Sequence, residues 1–249
     1  GKVEDLKVPA GSGRFLAFDP GNGAMLCATA ENRLRFRKNT AASWVDMSGH
    51  DARITGAEFI AGLDMAVTCG NDTTVRLWST RTGTAERKLQ GHRKYVSSVA
   101  VSDDGKKIVS AGWDGKVIVW ETVSGRMLGA IDVSAEPVLY AAFSPDARLL
   151  VAAESDGTAS VWEIAEKRKI MALRGHGGPI DCAAFSPDGK RVITCAADGL
   201  AKVWDAQTGR EIISLSAASP VGRIRFHENE RLELFSPSLH QRRYWVLGE

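Results

Sequence analysis

Apolar and polar residues alternate in short runs along most of this chain, and turn-forming residues interrupt each run. The stretch beginning at Val96 displays the pattern. "VSSVAVS" alternates, "SDDGKK" turns, "KIVSAG" is apolar, "WDG" turns, "KVIVW" alternates, "VSGR" turns, and "RMLGAI" follows. A period of two puts successive side chains on opposite faces of an extended strand, so four short strands joined by tight turns are predicted here. No segment carries a helical period. The expected class is all-β.

The same four-strand unit recurs. Trp78, Trp120, Trp162 and Trp204 lie 42 residues apart, each closing a strand. Asp72, Asp114, Asp156 and Asp198 each stand six residues before their tryptophan. Gly49-His50, Gly91-His92 and Gly175-His176 keep the register, as do the turn glycines Gly83, Gly125 and Gly209. An isolated four-stranded sheet cannot bury both of its faces, so such units must stack on neighbours. Stacked radially, they make a β-propeller of four-stranded antiparallel blades.

The Gly-His dipeptide, the Asp before a strand and the Trp at its end resemble the WD-repeat β-propeller family over nearly the whole chain. The literal Trp-Asp pair occurs at one of these strand ends, Trp204-Asp205; Trp78-Ser79, Trp120-Glu121 and Trp162-Glu163 depart from it. An apolar column on the outermost strand (Met47, Leu89, Ile131, Leu173, Leu215) steps back to Leu6, and Trp245 occupies the last strand-end position. One domain over 1–249 is therefore expected, with units near 9–48, 49–90, 91–132, 133–174, 175–216, and 217–249 completed by 2–8. That makes six blades, closed by the N-terminal outer strand pairing with the C-terminal blade. Closure removes exposed sheet edges.

Composition narrows the partners. Charged residues make up 25% of the 249, and 32 Lys and Arg against 30 Asp and Glu leave a net charge of +2. No whole-domain field gathers nucleic acid or an anionic membrane, so neither is the expected partner. Cys27, Cys69, Cys182 and Cys195 lack metal-ligand spacing, and three sit in apolar runs. They read as reduced, which fits a cytoplasmic protein. No apolar run is long enough to span a bilayer. The chain starts at Gly1, which fits a domain of a larger multidomain protein.

Three units offer His, Ser or Thr, and Asp together: His50, Thr68, Asp72; His92, Ser110, Asp114; His176, Thr194, Asp198. Nucleophilic catalysis needs one positioned set beside an oxyanion site, whereas these recur with the fold's own period. The resemblance implies that with Trp78, Trp120 and Trp204 they form buried hydrogen-bonded tetrads bracing their blades. No catalytic residue, metal site or cofactor is expected. The fourth unit keeps only Asp156 and Trp162, with Ser134 and Ala152 in the other columns. The first has Pro9, Cys27, Glu31 and Arg37; the sixth has Ala217, Phe235 and Leu239 and retains Trp245.

Binding is expected on the rim formed by the Asp turns and the loops entering each blade. The residue before each turn Asp varies: Asn71, Trp113, Ser155, Ala197. The loops add Arg53, Arg93, Lys94, Tyr95, Glu136 and Asp181. By resemblance, such positions form the family's partner surface, and blade three concentrates the residue types common at binding hot spots. The plainer alternative is that Trp113 packs over its own turn or against Tyr95. A second feature is arginine-rich: Arg33, Arg35 and Arg37 on one side of a strand, with Arg223, Arg225, Arg242 and Arg243 near the C terminus. These form either a basic patch for an acidic partner or phosphates, or a solvated and locally paired face.

The expected function is a non-enzymatic scaffold or sensor that binds a protein or peptide on the rim. The alternatives are a small-ligand receptor or enzyme using the central channel, and a binder of acidic or nucleic-acid partners through the arginine seam.

Overall fold

The computed structural model describes residues 12–19, 23–29, 31, 33–39, 42–216, 223–227, 231–236 and 241–246. The expected closing strand over 2–8, and the columns at Pro9, Ala217 and Leu239, lie outside these residues. Every regular element among the described residues is a strand. The strands form five four-stranded sheets and one three-stranded sheet, all antiparallel and one per sequence unit. In sheet three the strands run Val96–Val101, Lys107–Gly112, Lys116–Glu121 and Met127–Asp132, close to the bounds read from the alternation.

Turn chemistry sets these registers. The turn after Asp114 pairs Ala111 with Val117 and Ser110 with Ile118. Its third residue is left-handed, with Gly115 at φ 76°, Gly157 at 86° and Gly199 at 78°; among the described residues of this column, Thr73 alone carries a side chain, at φ 67°. Such a conformation is easy for glycine and strained for a β-branched residue.

The core lies between successive sheets rather than inside any one of them. In the second strand of sheet four, Leu150 and Ala152 join the apolar cluster shared with sheet three, while Val151 and Ala153 join the one shared with sheet five. Further clusters join sheets one and two, two and three, and five and six. Both faces of the inner strands are therefore buried, which is why they read as continuous apolar runs. Polar ties reinforce the seams. The Thr55 hydroxyl donates to the Val96 carbonyl at 2.5 Å, and the Ser97 hydroxyl donates to the Val138 carbonyl at 2.6 Å. The fourth strands are mostly exposed, as Ala85–Gln90 and Glu211–Ser216 show. This sequential stacking of antiparallel sheets is a propeller-type arrangement.

Candidate partner-binding rim

The rim is built upward from buried hydrogen-bond chains. In sheet three the Trp120 indole N–H donates to Ser110 Oγ at 2.9 Å, and Ser110 lies 2.8 Å from His92 Nε2. His92 Nδ1 is 3.0 Å from the Asp114 carboxylate. Burial holds the His92 pKa below its ordinary value, against the pull of Asp114, so the ring is neutral. The network then assigns the tautomer: the Ser110 hydroxyl donates to Nε2, and Nδ1–H donates to Asp114. Sheets two and five repeat the chain. Trp78 donates to Thr68 at 2.7 Å, and Thr68 and Asp72 lie 2.7 and 2.8 Å from His50. Trp204 donates to Thr194 at 2.8 Å, and Thr194 and Asp198 lie 2.8 and 2.9 Å from His176.

Each turn carboxylate also fastens the rim's backbone. Asp114 accepts from the Arg93 and Lys116 N–H groups, and Asp198 accepts from those of Gly177 and Leu200. Burial opposes the charged form of Asp114, yet these donors and His92 hold its carboxyl below the usual range; the same balance lowers Asp72 and Asp198.

Sheet four corrects the expectation that its brace keeps only Asp156 and Trp162. Ser160, directly across the sheet from Ala152, supplies the missing hydroxyl. The Trp162 indole donates to Ser160 Oγ at 2.9 Å, and Ser160 donates to the Glu154 carboxylate at 3.0 Å; the Ser134 hydroxyl also bonds Glu154. Volume explains the exchange. Glu154 shares a column with Gly70, Gly112 and Ala196. A Cβ on Gly112 would lie 2.4 Å from His92 Nδ1, so the histidine needs a small neighbour. With Ser134 in place of histidine, a glutamate fits. Glu154 is 3% exposed, and burial pushes its pKa up.

Above these braces, one backbone hydrogen bond recurs in four sheets. The N–H groups of Asn71, Trp113, Ser155 and Ala197 donate to the carbonyls of Arg53, Tyr95, Pro137 and Pro179 at 2.8, 2.8, 3.0 and 2.9 Å. The bond pins a loop residue to a turn residue, leaving both side chains at the rim. Sheet three fills the pair with aromatics: the Tyr95 and Trp113 rings lie 5.6 Å apart at 57° and remain 46% and 45% exposed. Trp113 thus both packs on Tyr95 and faces solvent. Pro137 and Pro179 are the partners in sheets four and five, a backbone pairing of loop with turn that residue spacing alone does not reveal.

Arg53, Arg93, Lys94, Glu136 and Asp181 are exposed, and Asn71 and Ser155 are half-buried. Although Asp181 is exposed, neighbouring protein partly desolvates its carboxyl and raises its pKa. The N-terminal arginines do not share one solvent-facing surface. Arg37 is buried at 9% exposure, its guanidinium 5.0 Å from the Trp44 ring centre; Arg35 binds Asp46 at 2.7 Å, and Arg33 lies 3.7 Å from Glu31. Arg37 sits on the column that tryptophan fills elsewhere, so it points between the sheets. The backbone register places Arg242 in a row with Phe235 and Arg223, and Arg243 in the next with Leu234 and Ile224; those arginine side chains lie outside the described atoms.

Comparison with known proteins fits the repeat geometry. The family model described as WD domain, G-beta repeat matches residues 43–79, 83–121, 128–163 and 167–205, more than half of the chain. The chain belongs to the WD-repeat family. Repeats of this family generally mediate protein–protein contacts. A stretch of 65 residues, 26% of the chain, is 37% identical to Coronin-7 of Mus musculus and 33% identical to Coronin-7 of Rattus norvegicus. The match spans 7% of the length of those relatives. Among the described residues, all four cysteines are free and buried, no acidic, histidine or cysteine cluster could hold a metal ion, and no helix is long and apolar enough to cross a membrane.

Proposed function

We propose that this WD-repeat domain is a non-enzymatic scaffold or sensor that binds a protein or peptide on the rim of sheets two and three. The observation that carries the reading is the Tyr95–Trp113 pair, two aromatic rings pinned by a backbone bond and half exposed. Aromatic side chains held rigidly at a surface give contact area at small entropic cost. Arg53, Arg93, Lys94 and Asn71 flank the pair, and Glu136, Ser155 and Asp181 extend the surface along the rim. The His50, His92 and His176 chains hold that surface in place and take no part in chemistry.

The parent domain is proposed as a single six-bladed ring over 1–249, with residues 2–8 adding the outer strand beside Gln241–Val246. The setting is proposed as cytoplasmic, within a larger signalling or scaffold protein. Affinity capture from native lysate tests the reading. The Tyr95→Ala/Trp113→Ala variant should lose the partner while melting like the parent, and undiminished capture would refute this choice of face.

A further inference from the structure

We infer that the rim of sheets two and three takes an acidic peptide segment that also carries an aliphatic side chain; this rests on the rim reading above. The polar groups this patch turns outward are mostly donors, with the Asp51 carboxylate the exposed exception beside Arg53. Arg53, Arg93 and Lys94 are exposed, and their side chains make no ion pair or hydrogen bond among the described residues. The Trp113 indole N–H and the Tyr95 hydroxyl likewise have no hydrogen-bond partner there. Several basic side chains elsewhere are occupied: Arg81 by Asp64, Arg168 by Glu163, and Lys116 by Asp132.

Of the nearby carboxylates, Asp114 is taken, accepting from His92 and from the Arg93 and Lys116 amides, whereas Asp51 is exposed and lies 3.8 Å from Arg76, which offsets part of its charge. A ligand complementary to free cations and free donors must bring acceptors and negative charge, which glutamate and aspartate supply. The tilted aromatic pair adds an apolar surface that an aliphatic side chain covers. The acids must sit over sheets two and three, because Glu136 and Asp156 are exposed on the adjoining sheet four and repel an anion. The same repulsion disfavours a nucleic-acid strand, whose phosphates continue at regular spacing past the aromatic pair.

Nuclear magnetic resonance titration of the whole domain tests this by following the Trp113 indole signal, assigned from Trp113→Ala. The probes are short acetylated peptides of glutamate with leucine, glutamine with leucine, and lysine with leucine, together with oligothymidylate. The glutamate peptide should move the Trp113 signal and bind about tenfold tighter than the glutamine peptide. Arg93→Ala/Lys94→Ala should erase that advantage, and added salt should weaken it. Equal affinity for the glutamate and glutamine peptides, tighter binding of the lysine peptide or oligothymidylate, or no movement with any probe would overturn the inference. The rim reading fails separately, through lysate capture that survives Tyr95→Ala/Trp113→Ala.

Discussion

The amide of Trp113 donates to the carbonyl of Tyr95 at 2.8 Å, and three other sheets make the same bond with unrelated side chains. The scaffold therefore uses only backbone atoms at these two columns, and the side chains are free to serve binding. Sheet four places Pro137 and Ser155 there. Moving that pair into sheet three, as Tyr95→Pro/Trp113→Ser, keeps the acceptor carbonyl and the donor amide. Denaturant unfolding should change by no more than about 0.5 kcal/mol, the range of surface substitutions. A loss of several times that would mean that the aromatic pair belongs to the fold.

His92 belongs to the fold in a way the rim pair does not. His92→Ala leaves Ser110 and Asp114 buried with lost partners, and should cost about 1–3 kcal/mol in denaturant unfolding. The pH dependence has a definite sign. Burial lowers the folded-state pKa of His92 from its usual 6.5, so its contribution is complete above 6.5 and is lost as pH falls below that value. Asp72, Asp114 and Asp198 are lowered from 3.8, so their contributions hold above 3.8 and disappear below it. Melting temperature should therefore begin to drop below pH 6.5, with a shallower slope in His92→Gln.

Glu154 has the opposite sign. Burial raises its pKa from 4.5, so folding favours the protonated acid and the cost of its charge grows as pH rises past 4.5. Glu154→Gln keeps an acceptor for Ser160 without the charge. Its melting temperature should exceed that of the parent at pH 7, and the difference should vanish near pH 4. A variant less stable than the parent at pH 7 would show that the carboxylate charge supports sheet four.

Thr73 holds the turn column at φ 67°, where sheets three, four and five have glycine. Thr73→Gly relieves a left-handed strain of about 1–2 kcal/mol, partly offset by the greater freedom of glycine in the unfolded chain. Thermal unfolding should show a net gain.

Spacing made the architecture legible. The 42-residue columns of Trp120, His92 and Asp114 mark strand end, loop and turn, because each side chain has a fixed partner within its own unit. What spacing hides is substitution across strands. Ser160 replaces a hydroxyl lost at position 152 only because the hairpin register sets the two opposite each other. Glu154 enters the space that histidine fills elsewhere, a volume exchange visible only in three dimensions. Strand alternation put Arg37 beside Arg35, yet the indole of Trp44 covers its guanidinium and the space between sheets buries it. Trp113 stands out in the sequence against Asn71, Ser155 and Ala197, and its packing on Tyr95 is among the contacts expected there; the backbone bond that holds the pair is one that no side chain encodes.

Partner capture by the Tyr95→Pro/Trp113→Ser domain, measured beside the parent and at matched melting temperature, tests the central claim most directly. A rim that binds through this pair predicts capture lost with the fold intact. Capture equal to the parent's would contradict it.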